Sequence, residues 1–334
     1  MQKSSLELLE IDTLKRGKNL LAFSAGVDST ALLFLLRDLD VAVDLALVNY
    51  GTRESSDQEE SYARELAKQF DIKIYTAKAP KFTSNFEAKA REFRYSFFEE
   101  LIYQNSYQNL ITAHHLGDRL EWFLMRFIKG AGAVELLGMD SCTPRQIRNQ
   151  KYSLIRPLLN ITKDALLSYL EQNGIRYFID SSNFDQSIER NLIREQFANR
   201  LLREYESGIK RSFEYLSRDK EHLLGSFREI FSQEDLVVFE LENLDSAIRA
   251  TDIYLKERAV LMSSSEKDTL LKNSSTLIGR NWVAEIRDNL LFIAPYLQGV
   301  VVPKKQREYY RKKRVPPKVR AYIFKKGIDL KFEE

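Results

Sequence analysis

Three groups of polar residues in this chain have types and spacings that could do chemistry. The first is Ser24-Ala25-Gly26-Val27-Asp28-Ser29, set between the apolar run LLAF (20–23) and the apolar helical pattern STALLFLLRDL (29–39). Small residues let a phosphate approach the backbone, and the N–H groups of a following helix favour an anion. The loop lacks the lysine of a G-x-x-x-x-G-K-[ST] nucleotide loop. Asp28 repels a phosphate unless a Mg²⁺ lies between them. Asp28 or Ser29 could equally well cap the helix.

The second group is His114-His115-Leu116-Gly117-Asp118-Arg119-Leu120-Glu121. On a helix, Asp118 and Glu121 share a face, with His114 one turn before Asp118. Leu120, Leu124 and Phe127 are expected on the buried side. An acidic pair suits an ammonium-bearing substrate, a Mg²⁺ ion or the deprotonation of an amine. The alternative is a helix N-terminus that favours acids through its dipole. Either histidine alone is more often a packed structural residue than a ligand.

The third group lies in DSSNFDQSIERNLIREQF (180–197), where Asp180, Ser181, Ser182 and Asn183 read as turn and cap material. Arg190 and Arg194 follow, one helical turn apart. Paired arginines suit phosphate or carboxylate. Surface ion pairs to Glu189 and Glu195 are the simpler alternative, each contributing little.

The elements that must position these groups alternate along the first 200 residues. LLAF (20–23), VDLALVNY (43–50), IKIYTAK (72–78) and NLITAH (109–114) read as strands. STALLFLLRDL, QEESYARELAKQF (58–70), EAKAREFRYSFFEELIYQ (87–104) and LGDRLEWFLMRFIKG (116–130) read as helices between and after them. Continuous apolar strands separated by helices predict βαβ units and a parallel sheet covered on both faces. Ligands bind beyond the carboxyl ends of such strands, where the first two groups fall. CTPRQIRNQKYSLIRPLL (142–159) reads as a hairpin, and DALLSYLEQNG (164–174) and ERNLIREQFANRLLREY (189–205) as helices. The expected organisation is α/β: a first domain over 1–210, a helical linker over 211–234, and a small α+β domain over 235–334.

The 334 residues are 44% hydrophobic and 30% charged, a globular composition. No apolar run approaches the roughly 18 to 20 residues of a membrane helix. The N-terminus lacks the apolar centre of a secretion signal, so a cytoplasmic location is expected. One cysteine, Cys142, excludes an internal disulfide or a Cys-rich metal site, and three histidines argue against a His-rich one. The net charge of +3 is unevenly spread. Residues 303–326 hold eleven Lys/Arg and one acid, which leaves −7 on the remainder. This segment is expected to be a basic tail with an anionic partner or a solvated face. Tyr309, Tyr310, Tyr322 and Phe324 favour RNA, because aromatic rings stack bases while Lys and Arg meet phosphates.

Together these pieces resemble the tRNA(Ile)-lysidine synthetases, a branch of the PP-loop ATP-pyrophosphatases. The family's S-G-G-x-D-S loop is similar to SAGVDS (24–29), and its N-A-R-E-x-R-Y helix to EAKAREFRY (87–95). Its H-H-x-D-D-Q-x-E-T…R-G-x-G segment resembles HHLGDRLEW…KGAG (114–132). RPLL (156–159) and DSSNFDQSIERNLIR (180–194) resemble its most specific signatures. Its second-strand exit is similar to NYGTRESSDQE. The likeness is close over residues 20–200 and weaker over 235–295. Four residues depart from the pattern: Ala25 and Gly117 replace a glycine and an aspartate, Arg119 a glutamine, and Tyr50 a histidine. Ala25 is tolerable if it keeps φ below zero.

The resemblance implies a PP-loop/HUP-like fold built on a five-stranded parallel sheet. It implies ATP and Mg²⁺ as cofactors, and as partners a CAU-anticodon tRNA(Ile) and L-lysine, with a homodimer left open. In the implied reaction the wobble cytidine's oxygen attacks the α-phosphate and releases pyrophosphate. The lysine ε-amine then attacks carbon 2 of the base and expels AMP. Ser24, Ala25, Gly26, Val27, Asp28 and Ser29 are the implied cradle, with Asp28 on Mg²⁺. Asp118 accepts the amine proton, Glu121 holds an ammonium, and Arg190 and Arg194 meet the adenylate phosphate or the lysine carboxylate. Arg91, Arg94, His115 and Asn191 are implied substrate contacts, with Lys312 and Arg314 on the RNA. A sulfur-transferring relative would need more than one cysteine, and an amidating relative a glutaminase domain. A non-catalytic nucleotide or RNA-binding module is the reading from another class.

Overall fold

The structure, a computed structural model, describes residues 6–51, 55–82, 84–179, 189–224, 226–258 and 260–330. The expected turn residues Asp180, Ser181, Ser182 and Asn183 lie outside the described residues, as do residues 52–54 of the second-strand exit. The chain divides into two compact units, Met1–Tyr215 and Leu216–Glu334.

In the first unit the elements run α1 (Ile11–Arg16), β1 (Asn19–Ala22), α2 (Val27–Asp38), β2 (Asp44–Asn49), α3 (Ser55–Phe70) and β3 (Ile74–Lys78). They continue with α4 (Phe86–Asn105), β4 (Asn109–Ile111), α5 (Leu116–Phe127), α6 (Ala133–Leu136), β5 (Cys142–Ile147), β6 (Gln150–Ile155) and α7 (Lys163–Gln172). After α8 (Glu189–Ile193) come a π-helical turn (Arg194–Ala198) and α9 (Asn199–Leu224), whose backbone leaves the helical region at Tyr205.

The strand order is β3-β2-β1-β4-β6-β5. The first five are parallel, as the resemblance implies. The predicted hairpin adds a sixth strand, because its first arm β5 pairs antiparallel with β6 and forms an edge. Alternate residues of each central strand face opposite helical layers. Leu21, Leu45 and Ile155 join the cluster under α2, α3 and α7. Leu20, Leu110 and Leu154 join the one under α4, with Phe98 and Ile102. Each leucine buried this way contributes about 1.5–3 kcal/mol, so the strands read as unbroken apolar runs. The chain adds β2 and β3 on one side of β1, then returns to place β4 on the other. The exits of β1 and β4 are therefore neighbours at the topological switch point, where ligands of open α/β sheets bind.

The second unit holds β7 (Phe227–Gln233), β8 (Leu236–Leu241), α10 (Asp245–Lys256), α11 (Ser264–Asn273), β9 (Ser275–Ile278), β10 (Trp282–Arg287), β11 (Leu290–Pro295), α12 (Lys304–Lys312) and α13 (Arg320–Lys326). Its antiparallel sheet has the order β7-β8-β11-β10-β9. Val237, Phe239 and Ile293 pack under α10 and α11. Leu236, Val238 and Phe292 pack under α12 and α13.

Three expectations are corrected here. The helical linker over 211–234 is helical only to Leu224, and Phe227–Gln233 forms the edge strand β7. Phe127 is 63% exposed, because α5 leaves the core after its second turn. The basic segment is not a tail: Tyr310, Val315, Val319, Tyr322 and Ile323 bury against the sheet. Burying them offsets the entropy of ordering a charged segment. Tyr310 and Tyr322, read as base-stacking candidates, are core residues, whereas Tyr309 and Phe324 remain exposed.

Candidate active site

The loop after β1 leads straight into α2, whose N-cap is Gly26 and makes no side-chain capping bond. Asp28 and Ser29 lie inside the first turn, so neither is the cap. The backbone N–H groups of that turn have no intrahelical partner and suit an anion. Ser29 ties the loop together: its Oγ accepts from the Ser24 N–H at 3.2 Å and lies 3.1 Å from the Ser24 Oγ. Ala25 has φ +57° and is fully buried, so the condition that made the glycine replacement harmless is not met. A left-handed alanine costs about 1–2 kcal/mol. The Phe178 N–H donates to the Ala25 carbonyl at 2.9 Å, and the Ala25 side chain joins the core, which together hold it there. Gly26 needs no such freedom, at φ −76°.

The loop after β4 is organised by His115, the N-cap of α5. Its Nδ1 accepts from the Gly117 N–H at 3.0 Å, and its own N–H donates to Asp118 Oδ2 at 3.0 Å. In the neutral ring the proton therefore sits on Nε2, which lies 3.6 Å from Asp118 Oδ2 and 3.9 Å from Asp28 Oδ1. A Cβ on residue 117 would stand 2.6 Å from the His115 Cε1. The missing aspartate thus leaves the space that the histidine ring fills. Arg119, the other replacement on this turn, is buried with its guanidinium over the Phe213 ring, 4.5 Å from the centroid.

Asp118 and Glu121 meet Arg190 and Arg194 across the fold. Arg190 donates to Asp118 Oδ1 at 2.5 Å and to Glu121 Oε2 at 2.8 Å. Arg194 donates from Nε to Glu121 Oε1 at 2.6 Å and from a terminal nitrogen to Oε2 at 3.1 Å. The Glu121 side chain is only 1% exposed. The carboxylates that these arginines meet are thus those of Asp118 and Glu121, in an internal, charge-balanced pair of pairs. Burial opposes Asp118 ionisation, yet His115, His114, Arg190 and a backbone N–H outweigh it and hold its carboxyl well below the usual range. Burial also pushes the nearby His114 down to about 4, aided by Arg156, Arg190 and Arg91 and opposed by Asp118.

A cavity of about 810 Å³ joins the two loops. Of the predicted residues, Ser24, Gly26, Val27, Asp28, Arg94, His115, Glu121 and Arg194 line it. Asp118, Arg190, Ala25, Ser29, Arg91 and Asn191 do not. Asp118, Ala25, Ser29 and Asn191 are buried, and Arg91 is exposed with its guanidinium over the Tyr95 ring. Lys312 and Arg314 are exposed in the second unit. Tyr50, the departure on the β2 exit, also lines the cavity; its hydroxyl donates to the Ala90 carbonyl and accepts from Arg94. The sequence reasoning missed Lys163 at the start of α7, which lines the cavity with its Nζ 3.8 Å from Asp28 Oδ2. Its position four residues beyond RPLL was the available signal. Asp28 Oδ1 is buried and accepts no hydrogen bond among the described residues.

The PP-loop domain family profile matches residues 1–201. A tRNA(Ile)-lysidine synthase of Wolinella succinogenes is 44% identical over 326 residues, covering 97% of this chain and 98% of that protein. One from Campylobacter jejuni strain RM1221 is 42% identical, over 95% of each chain. One from Helicobacter pylori strain 26695 is 37% identical, over 94% of this chain and 91% of that protein. Among solved structures, the U34-tRNA thiolase NcsA from Methanococcus maripaludis has a similar fold, with a TM-score of 0.50 and 18% identity over 62% of this chain and 74% of that one.

Proposed function

The chain belongs to the tRNA(Ile)-lysidine synthase family of PP-loop proteins, and from that premise we propose that both steps of its reaction take place in the cavity between the β1 and β4 exits. It is an ATP-dependent ligase that forms lysidine on tRNA(Ile). Its substrates on this reading are the CAU-anticodon tRNA(Ile), free L-lysine and ATP. The observation that carries the reading is one cavity lined by Ser24, Gly26, Asp28, His115, Glu121 and Arg194 together.

The SAGVDST loop and the uncapped start of α2 receive the phosphates. Asp28 fits a Mg²⁺ contact, since its Oδ1 is a buried oxygen without a hydrogen-bond donor. No group of three potential metal-ligating side chains occurs among the described residues, so Asp28 would be the protein's contact to such an ion. Bound there, Mg²⁺ supplies charge neutralisation as pyrophosphate leaves. The base oxygen attacks the α-phosphate, and the bond to the β-phosphate breaks. In the second step the lysine ε-amine must lose a proton, because its ordinary pKa is near 10.4. Of the six carboxylates on the lining, Glu121 is the one that accepts from Arg194, and it takes the proton as the amine attacks carbon 2 of the base and AMP leaves. Asp118, held strongly ionised, is a weak proton acceptor and serves to anchor Arg190 and the His115 cap. This shifts the division of labour expected from the sequence, in which Asp118 took the proton. Arg194 and the incoming ammonium compete for Glu121, and an adenylate phosphate draws Arg194 away from it.

The exposed basic face of α12, with Lys312 and the adjoining Arg314, receives tRNA phosphates. No helix among the described residues is long and apolar enough to cross a membrane; the tRNA substrate supports a cytoplasmic reaction. The test is incorporation of labelled lysine into a CAU-anticodon tRNA(Ile) transcript, with an initiator tRNA of the same anticodon as control. ATP- and lysine-dependent labelling of the first alone is expected. Absence of labelling, with ATP bound but not turned over, would favour a nucleotide-binding module.

A further inference from the structure

The β1 loop has no lysine, and the cavity it opens into is short of positive charge. The lining holds six carboxylates against four Lys and Arg cations. A triphosphate entering such a space needs a cation close to the loop. Arg194, 2.6 Å from Glu121, is the cation assigned above to the adenylate phosphate. Arg94 is held by the Tyr50 hydroxyl on the β2 exit, and Arg203, the fourth, is an exposed residue of α9. Lys163 is placed differently. It is the first residue of α7, follows the N-cap Thr162, and puts its ammonium beside the loop.

The interaction it makes there is a weak one. At 3.8 Å from Asp28 Oδ2 it is an ion pair without a hydrogen bond, and 43% of the side chain remains exposed. Among the described residues Asp28 is the carboxylate within ion-pair distance of Lys163. Thr162, Lys163 and Asp164 line the same cavity as Ser24 and Gly26. The first turn of α7 and that of α2 therefore border one space from different parts of the chain.

We propose that Lys163 supplies from α7 the ammonium that the β1 loop lacks, binding the β- and γ-phosphoryl oxygens of ATP and holding the pyrophosphate as it leaves. The proposal rests on the cavity being the ATP site. Without nucleotide, Lys163 balances Asp28. With nucleotide it turns to the phosphates, giving up an ion pair that held no hydrogen bond. A lysine suits this task because its three donors on a flexible stem can follow phosphate oxygens as the α–β bond breaks. It acts on the leaving group, so its removal weakens ATP and pyrophosphate and spares ligands without those phosphates.

The experiment is calorimetric titration of the full chain and of K163A and K163R with ATP, pyrophosphate, AMP and adenosine, alongside thermal melting. In K163A, ATP and pyrophosphate are expected to bind about tenfold or more weakly, a loss of about 1.4 kcal/mol. AMP and adenosine stay within about twofold, the melting temperature holds, and K163R recovers most of the loss. In lysine incorporation, KM for ATP rises more than kcat falls. Equal ATP affinity in K163A and wild type overturns the role of Lys163 and leaves the site reading standing. An equal loss for adenosine overturns it too, by showing a structural role. A wild-type protein that binds no ATP overturns both.

Discussion

Arg190 and Arg194 of the first unit resemble the basic residues of α12 in the second unit when only sequence is considered, as cations a helical turn apart. In the structure they belong to opposite electrostatic regimes. The two arginines, 35% and 21% exposed, meet Asp118 and Glu121 in a part-buried cluster in which Glu121 is 1% exposed. Lys304, Lys305, Arg311 and Lys312 are exposed and form no ion pair among the described residues, while Tyr310 on the same helix is buried. A buried charge without its partner is costly, so the first set must be balanced internally before any ligand arrives. The second set keeps its hydration and its positive potential, which is free to act on a polyanion. Spacing of like charges along a helix says nothing about which case applies. The packing of the helix against its neighbours does.

Three changes test this contrast, from the largest effect to the smallest. Arg194→Ala leaves Glu121 with one of its two guanidinium partners in a buried place. We expect lysine incorporation to fall by about a thousandfold, and the first unit to lose about 1.5–3 kcal/mol of stability, since Glu121 keeps Arg190. Arg194→Lys should recover little, because one ammonium cannot reproduce the paired N–H donors. Near-wild-type activity in Arg194→Ala would put these arginines in the same class as those of α12.

Acidification probes the buried cluster without mutation. His114 falls to about 4 in the folded protein from an ordinary value near 6.5. Between those values the unfolded chain binds the extra proton, so stability rises with pH and is lost as pH drops from 6.5 towards 4. Lowering the pH from 7 to 5 should cost about 2 kcal/mol, read from denaturant midpoints. Asp118, held low, adds its loss only below the ordinary carboxylate range, as pH falls further. His114→Gln should flatten the first window; an unchanged slope there refutes the assignment.

The smallest effect is expected where charge is exposed. Replacing Lys304, Lys305, Arg311 and Lys312 together by glutamine should leave folding and kcat nearly unchanged, and raise KM for tRNA about tenfold. The dependence of log affinity on log salt should become shallower, by just under one unit for each phosphate no longer neutralised. A fall in kcat with KM and salt slope intact would remove the distinction between the two regions.

Much of the fold was legible because its signals are local. Unbroken apolar strands and amphipathic helices gave the alternation of the first unit, and strand exits marked where Asp28, Asp118 and Glu121 would gather. The hairpin over 142–159 was visible, but not that its first arm would add an antiparallel edge. Ala25 was a recognisable departure, yet its φ of +57° goes with the Phe178 N–H that holds its carbonyl. Lys163 was overlooked because no local pattern connects the start of α7 with a loop 135 positions earlier. The basic segment misled for the opposite reason. Its charge count dominated the reading, although Tyr310, Val315, Val319 and Tyr322 already carried the spacing of a buried face.

The sequence by itself determined the periodicities, the glycine-poor loop after β1, the family motifs and the supply of charges. Those depend on neighbours within a few residues, which is the range over which backbone and side-chain preferences act. Only the tertiary structure decided which charges cancel, which face outward and which stand free beside the loop. Asp118 and Arg190 are 72 residues apart and in contact, Lys163 meets Asp28 from a helix far along the chain, and Tyr310 and Tyr309 part company at one helix surface. Solvation sets the strength of every one of these interactions, and solvation is a property of the packed chain.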